Sequence, residues 1–401
     1  MDAKSPPSES TQASPTPQRI STRADWPIFR GDPGLQGRSP GEAHQRPGLA
    51  WRVKLEQDIL TTPVIYNGKV FIACDDGLLY ALKQEDGSEL WRLDEGFGFE
   101  SSPFLSEGRL YIGSLDGVFY CLNATNGEVI WQLKLQAQIS ASANDIETTT
   151  AKGATRKLIV FGAYDNMLYA HDADTGEKVW SYPTDNYING SPAITENGEI
   201  LFGGCDAYAH VVNAATGESI HRIFLNTYIP SSVALEKNRG YAGNYDGELL
   251  AFDVGQGEVL WTYSTNSQFE TAPTVGENMV FISGGSRKLF AVDKRTGEEV
   301  WEQRPGSLLE SSPLVIGDTV LVIDHGGEIH ALDVSDGSLR WSYDVGGRSS
   351  ATPAVAGDRL YVGDGNGWLH ALNLDGTEDE PPPPPAPAEP EESPFVELEQ
   401  S

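Results

Sequence analysis

The chain predicts an all-β fold, an eight-bladed β-propeller of four-stranded antiparallel blades, from three observations. Trp51, Trp91, Trp131, Trp180, Trp261, Trp301 and Trp341 recur at 40 residues, with steps of 49 into Trp180 and 41 on to His221, which fills the slot before Trp261. Each period holds four short apolar runs parted by Gly, Asp or Asn turns, and a period of about 40 with four strands marks a propeller blade. A Thr/Ser-rich triplet opens the units in phase with the tryptophans: TTP at 61, SSP at 101, GSP at 190, TAP at 271, SSP at 311 and ATP at 351, while Ala143 and Val233 stand where two copies lack the proline.

The second unit shows the anatomy of a blade. Its runs SSPFLS, RLYIGS, GVFYCLN and EVIWQL are joined through Glu107-Gly108, Asp116-Gly117 and Asn126-Gly127. Such pairs favour the positive φ that tight hairpins need, so the unit reads as a meander. No segment shows a convincing helical period. The third unit is longer because NDIETTTAKGATRK, residues 144–157, lies between its first and second strands. That places an extended hairpin on the face away from the channel mouth, and plain length variation is the favoured reading.

The eighth unit stops after WLHALN and dissolves into acid and proline. An open ring would leave a strand edge exposed. The missing strand is LAWRVKLE, residues 49–56, which carries Trp51 one period before Trp91 and has no preceding strands of its own. The ring is therefore expected to close through this N-terminal strand. Residues 1–23 read as a disordered linker, 24–376 as the propeller and 377–401 as an acidic, Pro-rich disordered tail.

Composition limits the partners. The net charge is −30 and the pI about 4.5, which opposes nucleic-acid phosphates and anionic lipid. No apolar run is long enough for a membrane span, and neither a signal core nor a lipid-acceptor cysteine is visible, so a cytoplasmic location stays open beside removal of a leader. Cys74, Cys121 and Cys205 are scattered without metal-like spacing. No Ser/His/Asp triad, zinc site or phosphate loop is recognisable, and His330 and His370 occupy positions where other copies have Tyr, which favours packing. Catalytic, cofactor and metal residues are read as none.

The residues just before the triplets, taken to begin each innermost strand, are Leu60, Glu100, Ser140, Asn189, Pro230, Glu270, Glu310 and Ser350. Glu100, Glu270 and Glu310 are thus an acidic ring at the channel mouth. The same face should carry the hairpins between second and third strands, with Asp76, Asp116, Asp165, Asp206 and Asp246 read as turn residues. Phe97, Tyr187, Tyr228, Arg287, His325, Arg348 and Trp368 are the candidate partner surface there.

The pattern A-x-D-x-x-T-G-x-x-x-W, best seen in AHDADTGEKVW and AVDKRTGEEVW, resembles the tryptophan-docking repeat of pyrroloquinoline-quinone-like (PQQ-like) propellers. Blade count and compact length are most similar to the outer-membrane protein assembly factor B (BamB) group, and DWPIFRGDPGLQG, residues 25–37, is similar to the leader of many envelope propellers. The resemblance implies that the seven tryptophans pack on neighbouring blades, with the His221 blade as the weakest joint. It also implies a non-catalytic scaffold of a bacterial periplasm or envelope, a monomer that binds protein partners such as envelope assembly components. The alternative it carries is a quinoprotein dehydrogenase-like propeller, with PQQ in the channel and Ca²⁺ at Glu100, Glu270 or Glu310. Dehydrogenases of that superfamily use an adjacent Cys pair, which this sequence lacks.

Overall fold

The computed structural model describes residues 25–149 and 153–379. Eight antiparallel sheets form the ring, each with its strands in chain order from channel to rim except for the outer strand of the last. Blade 1 runs Val64–Tyr66, Lys69–Ala73, Leu78–Lys83 and Glu89–Asp94. Blades 2 to 7 repeat it and begin at Phe104, Asn144, Ala193, Ala234, Thr274 and Leu314. Blade 8 begins at Ala354, and its outer strand is Gly48–Lys54, paired antiparallel with Trp368–Asn373 in the register Arg52 to His370 and Lys54 to Trp368. The predicted closure is what forms.

Strand position explains the composition. Second and third strands are covered on both faces by neighbouring blades, so Lys69–Ala73 and Leu78–Lys83 are buried almost throughout. Fourth strands lie at the rim and alternate, as Glu89–Asp94 does. Val64, Phe71 and Leu79 of blade 1 share one core cluster with Leu105, Leu110, Ile112 and Leu122 of blade 2, so the core is a series of layers between sheets.

The tryptophans make the joints. Each sits just after a register shift in its outer strand, as between Ala81 and Leu82 opposite Trp91, which turns the indole toward the next blade. Trp91 Nε1 donates to the Ala124 carbonyl at 3.3 Å, Trp180 to Ala214 at 2.8 Å and Trp301 to Val334 at 2.9 Å. The ring lies against the turn glycine of that neighbour: a Cβ on Gly127 would come 2.7 Å from Trp91, so the T-G or N-G turn is required by contact as well as by its φ of 77°. His221 does the same chemistry with a smaller ring, its Nε2 lying 3.0 Å from the Gly255 carbonyl and its ring against Gly257.

One expectation changes in detail, and the extended hairpin of blade 3 forms as read. The residues before the triplets do not begin the inner strands: pairing starts at Val64, four residues past Leu60, because the proline of the triplet has no N–H to give a ladder. The insertion in blade 3 is regular, with Asn144–Thr149 and Thr155–Ala163 paired from Asn144 with Val160 to Thr149 with Thr155. The linker 1–23 and all but the first residues of the tail lie outside the described residues.

Residues 26–39, within the span read as the propeller, form a clasp across the end of the channel opposite the mouth. Its carbonyls at Trp26, Pro27, Pro33, Gly34, Gln36 and Gly37 accept the N–H groups of Ile65, Leu105, Ile194, Leu235, Val275 and Val315, at 2.7–3.0 Å. One blade after another thus has its inner-strand edge satisfied by the same segment. Arg38–Ser39 ends the path as a short parallel strand on blade 7.

Candidate interaction face and blind channel

The triplets build the channel wall. Their first hydroxyl binds within its own blade, Thr61 to the Ala73 carbonyl at 2.8 Å and Ser101 to Gly113 at 2.7 Å. Their second accepts from the preceding blade: Thr62 N to Ser102 Oγ, Ser142 N to Ser191 Oγ, Ser191 N to Ser232 Oγ, Ala272 N to Ser312 Oγ and Ser312 N to Thr352 Oγ1, at 2.8–3.2 Å. Buried bonds of this kind contribute about 1 kcal/mol each and are costly to break singly. Their function is to hold the preceding residue at the mouth. Leu60, Glu100, Ser140, Asn189, Pro230, Glu270, Glu310 and Ser350 all line one cavity of about 220 Å³.

Phe29 of the clasp lines the same cavity, so this segment reaches the channel from the end opposite the mouth. Arg30 fixes the clasp. Fully buried, it donates to the carbonyls of Pro313 at 2.5 Å and Pro273 at 3.1 Å and to Thr274 Oγ1. Burial pushes its guanidinium down to about 9, against the raising influence of Asp32, so it remains charged at neutral pH. Trp26 is also fully buried, with Gly31 so close that a Cβ there would lie 2.6 Å from its ring.

Around the mouth, Glu100, Glu270 and Glu310 are exposed. Glu100 stands on blade 2 and Glu270 on blade 6, four blades away and therefore across the ring; Glu310 is next to Glu270 on blade 7. His325 Nδ1 lies 2.8 Å from Glu310. Phe97 is 56% exposed, Tyr187 48% and Tyr228 49%; Tyr187 stacks on Tyr164 at 5.1 Å and Tyr228 meets Tyr245 edge-on. Arg287 and Arg348 are exposed as well. Trp368 is half-buried under Arg52, whose guanidinium lies 4.8 Å from its ring, so it belongs to the closing seam as much as to the face. Backbone bonds such as Cys205 N to Tyr187 O and Tyr245 N to Tyr228 O tie the loops before the inner strands to the second-to-third hairpins, which makes the face one surface.

Three buried Asp–His pairs stiffen it. His210 Nε2 is 2.9 Å from Asp206, His330 Nε2 3.4 Å from Asp324 and His370 Nε2 3.3 Å from Asp364. Burial raises the Asp324 carboxyl, but the N–H groups of Ser307 and Glu328 and the His330 ring outweigh this and hold it below the usual carboxylate range. The Asp206 and Asp364 carboxyls are lowered in the same way against the same burial. Asp324, Glu328 and His330 put ligand atoms within 4.8 Å of one another. Both Asp324 oxygens already accept backbone N–H groups, and Gly306 packs so tightly that a Cβ there would lie 2.2 Å from Asp324 Oδ2. Blade 8 repeats the pair with Trp368 at the third position, so the constellation serves to pin the loop ahead of the inner strand. The sequence reading of His330 and His370 as packing residues did not include their carboxylate partners; the signal is an Asp four or six residues before a His at the usual Tyr position.

The sequence model for outer membrane protein assembly factor BamB matches residues 47–98, 75–227 and 205–379, which together span the ring. The chain belongs to the BamB family. Solved structures agree on the fold: BamB from Moraxella catarrhalis has a TM-score of 0.71 at 21% identity, over 84% of this chain and 100% of that one. The quinohemoprotein alcohol dehydrogenase ADHIIG from Pseudomonas putida reaches 0.72 at 15% identity, over 90% and 82%, and the computationally designed Ika8 protein 0.66 at 17%, over 81% and 99%. Comparison with curated protein sequences finds no match. At these identities the BamB and dehydrogenase structures both speak for the propeller alone, and function rests on the residues of the channel.

Proposed function

We propose that this BamB-family propeller is a non-catalytic protein-interaction scaffold of a bacterial envelope that takes part in outer-membrane protein assembly. The observation that carries the reading is the channel face, where exposed Phe97, Tyr187 and Tyr228 stand on pinned loops around an acidic mouth. Aromatic residues on a rigid, pre-formed surface are what a docking site for another protein needs. The clasp runs along the inner-strand edges at the opposite end and Phe29 lines the cavity from that side, and we take the mouth side as the working side.

Among the described residues, no set proposes itself for redox chemistry. Cys74 and Cys121 are buried in separate blades, and burial first, with nearby carboxylates for Cys74, pushes their thiols up to about 12 and about 11. Such thiols are unreactive at neutral pH. We propose that the protein needs no cofactor and acts as a monomer.

The test is complementation. In cells lacking their own BamB-family protein, an exported form of this chain should restore outer-membrane β-barrel protein levels, and the variant Phe97→Ala, Tyr187→Ala, Tyr228→Ala should not while accumulating to the same level. Full activity of that variant would remove the channel face from the account. Incubation with PQQ and Ca²⁺, desalting and a dye-reduction assay with alcohols should leave neither quinone absorbance nor turnover.

A further inference from the structure

A groove of about 700 Å³ lies on the clasp face, between the second half of the clasp and the hairpins that join first and second strands in blades 4 to 7. We propose that this groove docks the chain's own tail in cis, through residues 394–398, Pro-Phe-Val-Glu-Leu.

The groove suits a short apolar segment. Ile194, Leu235 and Val315 of the inner strands line it together with Pro33 and Pro40 of the clasp. The two prolines are exposed and Leu235 and Val315 are buried, so it is open above and apolar beneath. Its volume falls within the range of about 300–1,000 Å³ that ligand-sized pockets occupy. Lys237 at its edge is exposed and makes no ion pair among the described residues, whereas Arg38 is held by Glu236 at 3.2 Å.

The tail carries the matching chemistry. Apart from proline and alanine, the apolar side chains of residues 380–401 are Phe395, Val396 and Leu398, gathered within four positions. Glu397 stands among them and pairs with Lys237. Glu196 and Glu277 also line the groove, so the apolar contacts supply the affinity and the ion pair sets the register.

The described chain also ends in the right place. Asp379 donates its N–H to the Leu49 carbonyl at 3.1 Å, and its carboxylate lies 3.1 Å from Arg359, which opens the second strand of blade 8 at the clasp-face end. Blade 7, which gives Val315 and Gly317 to the groove, packs against blade 8. Fourteen residues, seven of them proline, separate Asp379 from Pro394. At about 3 Å per residue such a stretch reaches about 40 Å, beyond the roughly 20 Å radius of gyration of a compact chain of this length. The tether holds the motif near the groove at about millimolar concentration, an advantage that a second copy at micromolar concentration lacks.

The experiment titrates fluorescein-labelled Glu-Ser-Pro-Phe-Val-Glu-Leu-Glu-Gln, by anisotropy, against the full chain and against the full-length variant Phe395→Ser, Val396→Ser, Leu398→Ser. The parent's groove is filled by its own tail, so the peptide should bind the variant about tenfold more tightly or better. In the parent, p-benzoylphenylalanine placed at Phe395 should crosslink within one molecule to the segments 33–40, 194–196 or 235–237, as read by mass spectrometry of the monomer band. Equal binding of the peptide to parent and variant, or no binding to the variant, overturns the proposal. So do crosslinks that form only between two molecules, which would make the occupant a second copy, and crosslinks confined to residues away from the groove.

Discussion

Trp301 and His221 occupy equivalent joints with unequal means. Trp301 is 8% exposed, fills the seam against Gly337 and donates to Val334; His221 keeps the hydrogen bond and loses most of the apolar plate. Trp301→Ala should therefore cost about 3–5 kcal/mol and His221→Ala about 1 kcal/mol in urea titrations. Equal losses would contradict the view that the indole ring, more than its N–H, glues the blades. The Asp–His pairs give the residue scale its pH dependence. The Asp206, Asp324 and Asp364 carboxyls are held below their unfolded values near 4, so the stability they supply is complete above that pH and is lost as pH falls through the lower folded values. The protein should be equally stable at pH 7 and pH 5 and weaken steeply below about pH 4, and Asp324→Asn should shallow the drop. A midpoint that falls between pH 7 and pH 5 would place the acid sensitivity elsewhere.

The clasp is the element that sequence reading did not see. Trp26 lies outside the 40-residue register, and Arg30, Gly31, Leu35 and Gly37 all take positive φ, so neither period nor propensity announced a segment whose shape is set by the edges it satisfies. The blades were legible because each repeats the same physical solution, and the closing strand was legible as the one unpaired Trp-bearing run. The mouth glutamates were legible too, since their offset from the Ser/Thr triplets is fixed. Phe29 as a lining residue of the channel was not, because it comes from a part of the chain far from the repeats. Trp341 shows how the stretch between clasp and closing strand joins the ring: the chain leaves blade 8 after Asn373 without turning into a fourth strand, and the indole donates instead to Ala43 at 2.7 Å. Removing residues 1–40 while keeping Gly48–Lys54 should leave a folded ring in which the amides of Leu105, Ile194, Leu235, Val275 and Val315 exchange with solvent far faster, as read by hydrogen exchange. Protection that survives the deletion would mean that the clasp is an ornament.

At the scale of the whole molecule the ring has two unlike ends. One is crossed by the clasp, and the other presents an acidic mouth within an aromatic collar on loops pinned by buried Asp–His pairs. That asymmetry is the functional claim, because it gives one face an aromatic collar around a cavity, whereas the apolar residues exposed on the rim, such as Leu90, Ile130, Leu260 and Leu339, are spread over the outer strands of successive blades. The most direct measurement is photo-crosslinking in living cells from p-benzoylphenylalanine placed at Tyr187 on the mouth face, at Leu339 on the rim and at Lys237 on the clasp face. A discrete protein adduct from position 187 and none from 339 or 237 is the predicted result. Adducts from 237 or 339 with position 187 silent would contradict it.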